Sequence, residues 1–229
     1  MKKTDSLSKS GFWISFSTFI FTVLTFLTAL FTPPISGPFA SDPLKYPFEN
    51  IISRFPKDYI WMFTAMILMI LFILFSLFIF YSSEEKKKIY AHAGLIFSVI
   101  SSLILLTDYY IQISFIQVSL LNSETQAIAA LTQYNPHGIF IILEEIGYIM
   151  MSLAFLFFIP VFSEKNKSDG IIRKILLSDV IINIISFIII TLFFGIKREY
   201  IFEVVIISVN FIFLAVFSLL VSLRVRKNG

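Results

Sequence analysis

The sequence predicts an all-α fold, a polytopic membrane protein built as a bundle of six transmembrane helices. Of its 229 residues, 57% are hydrophobic and only 14% are charged, and the mean hydropathy is +0.88. A soluble domain of this length carries roughly a quarter charged residues. These apolar side chains are too many to be buried in one core, so the surrounding solvent must itself be apolar.

Six apolar runs are long enough to cross a hydrocarbon core of about 30 Å, which takes about 20 helical residues. They form one integral membrane domain over residues 1–229. The predicted spans are residues 11–32, 59–81, 90–118, 138–162, 173–195 and 200–223. Lys2, Lys3 and Lys9 precede the first run as they would in a signal peptide, but its apolar stretch is too long for a typical signal core. We therefore predict a retained helix.

Between the first two spans, residues 43–56 are predicted to form a helix that lies in the outer membrane interface. Pro47 fits the first turn of such a helix, and Pro56 would end it. The apolar residues that recur there at helical spacing are Leu44, Phe48, Ile51, Ile52 and Phe55. The segment is either a lid over a cavity or a covering loop that anchors the bundle, and the second interpretation is preferred.

The distribution of basic residues predicts that both termini are cytoplasmic. With the N-terminus inside, 13 of the 18 Lys and Arg residues fall in inner segments and 5 in outer segments. The loop after the third span, residues 122–138, contains no Lys or Arg. Basic residues prefer the cytoplasmic side of a membrane, so this orientation is favoured over its inverse. The predicted location is the cell membrane.

Acidic residues inside the predicted spans indicate a polar region in the outer half of the bundle. Glu144 and Glu145 lie about 9–11 Å below the outer surface at 1.5 Å per residue. Asp108 lies toward the outer end of the third span at about the same level, and Glu203 lies about one turn into the sixth span. The residues predicted to line an outward-facing ligand-binding pocket are Asp108, Gln112, Glu144, Glu145, Tyr148 and Glu203.

These acids are expected to have no buried basic partner, because no Lys or Arg lies deep within any predicted span. A charged group near mid-bilayer costs on the order of several kcal/mol. Adjacent Glu144 and Glu145 therefore cannot both be buried, charged and unpaired. They are protonated, in contact with outside water, or neutralised by a bound cation.

A second polar stripe lies on the fifth span, where Asp179, Asn183 and Ser186 follow i, i+4, i+7 spacing. Together with Ser152 and Asn210, this stripe could extend the outer pocket as a polar path that narrows toward the inside. The preferred alternative is that Asp179 and Asn183 hold helices together. On the first span, a stripe of small polar residues is predicted to serve helix packing only: Ser15, Thr18, Thr22 and Thr25.

Composition also excludes or disfavours several chemistries. The chain has no cysteine, which excludes disulfides, thiolate metal sites and cysteine nucleophiles. His92 and His137 fall on opposite sides of the predicted membrane, so they cannot share a metal ion, and no metal site or cofactor is predicted. A metal held by His137 with the outer acids is a minor alternative. The net charge of +3 comes from basic residues in short loops beside apolar runs, which is typical of membrane topology and not of nucleic-acid binding.

Two segments, TDYYIQISFIQVSLL at residues 107–121 and LTQYNPHGIFIILEEIGY at residues 131–148, carry a resemblance to a known class of proteins. They resemble small prokaryotic six-helix integral membrane proteins of unknown function. The likeness covers mainly the third and fourth spans. It implies the helix count and the importance of this paired segment, and it implies no substrate, cofactor or catalytic residue.

The leading functional interpretation is a small transporter or ligand-binding membrane protein for a proton, a cation or a cationic amphiphile, with the lipid bilayer as its surroundings. One alternative is an intramembrane lipid-modifying enzyme that uses the paired carboxylates as acid and base. Another is a non-catalytic membrane subunit or sensor, in which the polar residues only hold helices together.

Overall fold

Six long α-helices make up most of the chain. The computed structural model describes residues 2–31, 44–163 and 166–228, with every side chain in those ranges except those of residues 2–6, 49, 50 and 228. The helices are α1 (Lys2–Leu30), α2 (Ile60–Ser82), α3 (Lys88–Tyr110), α4 (Ile139–Phe158), α5 (Lys167–Phe194) and α6 (Ile201–Asn228). Every regular element among the described residues is helical, and six helices are long and apolar enough to cross a membrane. The predicted number of spans is confirmed.

Contacts between successive helices, and between the first and the last, close the bundle. α1 packs against α2 and α6, α3 lies between α2 and α4, and α5 lies between α4 and α6. α4 also contacts α6, and the apolar window of α4 is 56% buried, more than that of any other span. α4 is therefore the most interior helix.

The two ends of the bundle differ in their content of basic residues. At one end of the bundle, α1 ends at Leu30, α2 begins at Ile60, and α4 and α6 begin just after Gly138 and Tyr200. The loops at this end hold 5 of the 18 Lys and Arg residues of the sequence. We call it the cation-poor end and the opposite end the cation-rich end. The cation-poor end is the one that the sequence predicts to face outward.

The segment before α2 is less regular than the sequence predicts. In place of a helix over residues 43–56, residues 44–48 contain a turn, and a 3₁₀ helix spans Glu49–Arg54. Residue 43 lies outside the described part of the chain. Phe48 has a φ of 67°, a left-handed conformation that prevents a continuous helix through this point. The 3₁₀ helix ends before Pro56, as expected.

α3 is extended toward the loop that joins it to α4. A π-helical turn, Ile111–Ile116, and a short α-helix, Gln117–Leu121, follow it without a break. A π turn is wider than an α-helical turn, so it rotates the side chains that come after it relative to a regular helix. Gln112 lies in this turn, one helical turn beyond Asp108, and its contacts are described below.

α3 and α4 approach each other closely at two glycines. A Cβ atom at Gly94 would lie 2.4 Å from the ring of Phe158, and one at Gly147 would lie 2.6 Å from the side chain of Leu105. Larger residues at either position would push the two helices apart. This close approach brings the part of α3 that contains Asp108 beside the first half of α4.

A cluster of five phenylalanines fills part of the cation-rich half of the bundle. Phe217 of α6 is at its centre, and its ring centroid lies 5.0 Å from that of Phe75, 5.8 Å from Phe155, 6.4 Å from Phe158 and 5.7 Å from Phe162. All five side chains are buried, and three of the four contacts are edge-to-face, an arrangement that aromatic rings prefer. The phenylalanine cluster therefore joins α2, α4 and α6.

The small polar residues of α1 form a buried surface, as predicted. Ser15 and Thr22 each donate a hydrogen bond of 2.7 Å to the backbone carbonyl one turn earlier in α1. Thr18 does the same at 2.9 Å and also lies 3.5 Å from the Leu71 carbonyl of α2. Because these hydroxyls are satisfied mainly within α1, the stripe provides a close-packing surface and not a polar path.

Candidate functional site

A cavity of about 300 Å³ lies between the helices at the cation-poor end. Its polar lining residues are Asp58, Gln133, Tyr134, Glu144, Tyr200, Glu203 and Ser208. Its apolar lining residues are Phe26, Ala29, Leu30, Trp61, Pro136, Phe140, Ile141, Val204, Ile207 and Phe211. Among the described residues that line this acidic cavity, three are acidic and none is basic.

Glu144 of α4 and Glu203 of α6 form the acidic centre of the cavity. Only 1% of Glu144 and 8% of Glu203 is exposed, and the two carboxyl groups lie close enough to interact directly with each other. Two carboxyl groups can share a hydrogen bond only when one of them carries a proton. Within the described residues, no Lys or Arg forms an ion pair with either group. The fully ionised pair would therefore need a cation from outside the protein.

Two tyrosine hydroxyls hold Glu144 in place. Tyr109 of α3 donates to Oε1 of Glu144 at 2.8 Å, and the hydroxyl oxygens of Tyr109 and Tyr148 lie 2.9 Å apart. A tyrosine has a single O–H group, and that of Tyr109 is used on Glu144, so Tyr148 is the donor to Tyr109. This chain of hydrogen bonds fixes Glu144 from the side away from the cavity. Glu203 is the more exposed of the two carboxyls and is therefore the one more available to a ligand.

Asp108 lies close to this network, but it does not line the cavity. It is buried, and its Oδ2 atom has no hydrogen-bond partner among the described residues. It is close enough to interact electrostatically with Glu144, Tyr148 and Glu203. Acids from α3, α4 and α6 therefore lie together at the cation-poor end, and two of the three reach the cavity.

Asp58, just before α2, adds a third carboxylate at the edge of the cavity. The hydroxyl of Tyr134 donates to its Oδ2 atom at 3.1 Å, and Nη1 of Arg54 lies 4.0 Å from the same oxygen. Burial raises the pKa of Tyr134 well above its ordinary value, so the hydroxyl stays protonated and continues to donate. Arg54 is exposed and at the limit of ion-pair distance, so it compensates the charge of Asp58 only weakly.

Glu145 has a basic partner, which corrects the expectation that none of these acids has one. Arg198, in the loop between α5 and α6, donates to Oε2 of Glu145 at 2.6 Å. The guanidinium also lies over the rings of Phe187 and Phe202, 5.2 and 5.6 Å from their centroids. Neighbouring helical residues point about 100° apart, so Glu145 faces this loop while Glu144 faces the cavity. The expectation was wrong because the long side chain of Arg198 reaches back from outside the predicted spans.

We expect Glu145→Gln to lower the thermal unfolding midpoint of the solubilised protein by about 5 °C, with ligand binding in the cavity unchanged. A hydrogen bond between charged groups contributes about 1.5–3 kcal/mol to the free energy of unfolding. At this chain length, each kcal/mol of that free energy shifts the unfolding midpoint by roughly 2–4 °C. Arg198→Gln should cause a similar decrease, and the double variant little more, because both changes remove the same interaction. Additive decreases in a thermal melt would show that the two residues act separately.

Gln112 supports the loop before α4 and does not reach the cavity. Its Nε2 donates to the Leu131 carbonyl at 2.6 Å, and its Oε1 accepts from the backbone N–H of Gln133 at 2.9 Å. Both ends of the side-chain amide are therefore used on this loop. Gln112 thereby positions Gln133 and Tyr134, which do line the cavity.

A second cluster of buried polar residues connects α4, α5 and α6 nearer the middle of the bundle. Asn183 donates to the Ser152 hydroxyl at 2.9 Å, and Ser152 donates to Oδ1 of Asn210 at 3.3 Å. Asp179, one turn from Asn183, is also buried. These bonds connect three helices, which is the usual structural use of polar residues in membrane bundles.

A second cavity, of about 370 Å³, lies at the cation-rich end, and its main charged groups have partners. Nε of Arg224 lies 2.9 Å from Oδ1 of Asp169. Lys87 donates to the Val161 carbonyl at 3.1 Å and lies 4.0 Å from Glu84. Because these basic side chains are compensated within the protein, the acidic cavity is the better candidate for binding a charged ligand.

Several residues that shape the acidic cavity were not predicted from the sequence, namely Asp58, Trp61, Tyr109 and Tyr134. The sequence feature that could have identified Tyr109 is its position directly after Asp108, at the level of Glu144. His137, considered as a metal ligand, does not line the cavity. The described residues contain no group of three or more His, Asp or Glu side chains placed to hold a metal ion.

Comparisons with protein-family models, with curated proteins and with solved structures gave no match to this chain. The geometry and charge of the acidic cavity are therefore the basis on which a function is assigned.

Proposed function

We propose that this chain is a multi-pass protein of the cell membrane, with both termini cytoplasmic, whose acidic cavity binds the positively charged head of an amphiphile from the outer leaflet. The cation-poor end then faces outward, as the positions of Lys and Arg favour. The observation that carries the proposal is the pair of buried carboxyls, Glu144 and Glu203, in contact with each other in a cavity without a basic lining residue among those described.

A cationic ligand would compensate the charge of this pair. Carboxylates removed from water are strongly unfavourable unless another charge or a proton compensates them. A shared proton removes one of the two negative charges of the pair in the empty cavity, and a monovalent cation that displaces this proton compensates one of them in the occupied cavity. Protons and ligand then compete for the same pair, so we expect the affinity for a cation to fall as the pH is lowered.

The edge of the cavity favours an amphiphile over a fully soluble cation. Leu30, the last residue of α1, is 60% exposed, and Val204, one turn into α6, is 41% exposed. Both residues line the cavity and also face outward from the bundle. A ligand whose head lies beside Glu203 could therefore extend its apolar chain across these two residues into the lipid.

The phenylalanine cluster supports ligand binding over transport. Transport requires polar access to the site from both faces of the membrane in turn. Phe217 and its four neighbours occupy the space between α2, α4 and α6 on the cation-rich side of the acidic cavity. The central interior is therefore aromatic and closely filled at this level.

The fluorescence of Trp61 tests the proposal directly, because the chain has two tryptophans and Trp61 lines the cavity. In a Trp13→Phe background in lipid nanodiscs, we expect dodecyltrimethylammonium to change the fluorescence of Trp61 saturably. Decanoate, an anionic amphiphile, and dodecyl maltoside, an uncharged one, should not. Equal responses to all three amphiphiles, or no saturable response to the cation, would rule out a cation-binding cavity.

A further inference from the structure

Aromatic rings cover much of the cavity wall that the carboxyls leave free. Trp61 comes from α2, Tyr134 from the loop before α4, Phe140 from α4 and Phe211 from α6. All four line the cavity, and each is at least nine-tenths buried. Rings from four separate elements thus surround the space in front of the Glu144–Glu203 pair.

Neighbouring rings hold this aromatic wall in place. The centroid of Trp61 lies 5.1 Å from that of Tyr109 in an edge-to-face contact, and Tyr109 lies 6.3 Å from Phe140. On the other side, Phe211 lies 6.0 Å from Phe26 of α1. Tyr109 also donates to one of the two carboxyls, so a single residue positions both the charged and the aromatic parts of the cavity.

Part of the hydrogen-bonding capacity of the cavity oxygens is already used within the protein. Oε1 of Glu144 and Oδ2 of Asp58 each already accept from a tyrosine hydroxyl, and the Ser208 hydroxyl donates to the backbone of its own helix. A primary ammonium brings three N–H groups, and each needs an acceptor when it is buried. A quaternary ammonium has no N–H group and is attracted by the faces of aromatic rings.

We propose that the head of the amphiphile is a quaternary ammonium, with its methyl groups against Trp61, Phe140 and Phe211 and its charge compensated by Glu144 and Glu203. This inference rests on the proposed function, because it names the chemical class of the same ligand. The carboxyl pair attracts any cation, whereas the aromatic wall selects the methylated one. The two contributions come from different residues and can be tested separately.

The experiment compares dodecyltrimethylammonium with dodecylammonium, two probes that have the same chain and the same charge at neutral pH. Binding to the wild-type protein in nanodiscs is measured by isothermal titration calorimetry, and we expect the quaternary probe to bind about fivefold more tightly or better. Trp61→Leu and Phe211→Leu should each bring the ratio of the two affinities close to one, because each substitution weakens binding of the quaternary probe more than binding of dodecylammonium. Trp61→Phe keeps an aromatic ring and should retain a preference.

The controls separate this inference from the proposed function. Trp13→Leu alters an exposed tryptophan of α1 away from the cavity and should leave the ratio unchanged. Equal affinities in the wild type, tighter binding of the primary probe, or a preference that survives both leucine substitutions would overturn the assignment of a quaternary head and leave a cation-binding cavity in place. If neither probe binds the wild type, the proposed function itself fails. If one leucine variant does not fold, the wild-type ratio and the other variant decide.

Discussion

Glu203→Gln is expected to weaken the binding of dodecyltrimethylammonium by at least about tenfold at neutral pH. Removing one partner of a buried charge pair typically costs about 2–5 kcal/mol, and about 1.4 kcal/mol corresponds to a factor of ten in affinity. Glutamine keeps the shape of the side chain and can donate to Glu144, so the contact between α4 and α6 is retained. The loss is therefore one of charge and not of structure, and titration calorimetry measures it directly.

Glu145→Gln is the matched control, because it makes the same chemical change one residue from Glu144. Glu145 pairs with Arg198 and does not line the cavity, so its loss should leave ligand affinity within about twofold while the unfolding midpoint falls. The pH dependence gives a second comparison. Wild-type affinity should fall on acidification, and Glu203→Gln should flatten this dependence. Equal losses of affinity in both variants would mean that the protein attracts cations by its general charge and not at the cavity.

Phe217→Ala is expected to lower the unfolding midpoint by about 10 °C, the largest stability effect anticipated for a single substitution. Removing a buried phenylalanine costs about 3–5 kcal/mol in soluble proteins through lost contacts and the space left behind. In a membrane the transfer of apolar surface contributes less, but the lost dispersion contacts with four neighbouring rings remain. A loss of about 3 kcal/mol in the free energy of unfolding, at roughly 2–4 °C per kcal/mol, gives the expected shift of the unfolding midpoint.

The matched control for this change is Phe193→Ala on α5. The side chain of Phe193 is 81% exposed on the lipid-facing surface of the bundle, so its removal should shift the midpoint by no more than about 2 °C. Thermal melts of both variants in the same detergent test the role of the phenylalanine cluster. Similar shifts for Phe217→Ala and Phe193→Ala would contradict a stabilising role that is specific to the cluster.

The membrane-spanning helices could be predicted because hydropathy is a property of each segment alone. The backbone must satisfy its own hydrogen bonds in lipid, so an apolar run of sufficient length forms a helix whatever its neighbours are. Helical rise then placed Asp108, Glu144 and Glu203 at similar depths without knowledge of the bundle order. The helix predicted before α2 was wrong, because the left-handed backbone at Phe48 is a local feature that the spacing of apolar residues does not reveal.

The partners of the polar residues could not be predicted, because they depend on which helices are neighbours and on how far loop side chains reach. Glu144 and Glu145 are adjacent and identical in type, yet one faces a cavity and the other an arginine from a distant loop. Gln112, in the π-helical turn, bonds to the loop before α4, a partner that helical spacing alone does not identify. The aromatic wall is assembled from four elements, so no single stretch of sequence contains its pattern.

The most direct measurement is an experimental structure of the protein with dodecyltrimethylammonium bound in a lipid nanodisc. We expect the ligand nitrogen to lie between Glu203 and the rings of Trp61 and Phe211, within about 6 Å of a ring centroid, with the alkyl chain leaving past Leu30 and Val204. An empty acidic cavity at saturating ligand, or a ligand head outside it with Glu144 and Glu203 in contact only with each other, would contradict cation binding in the cavity.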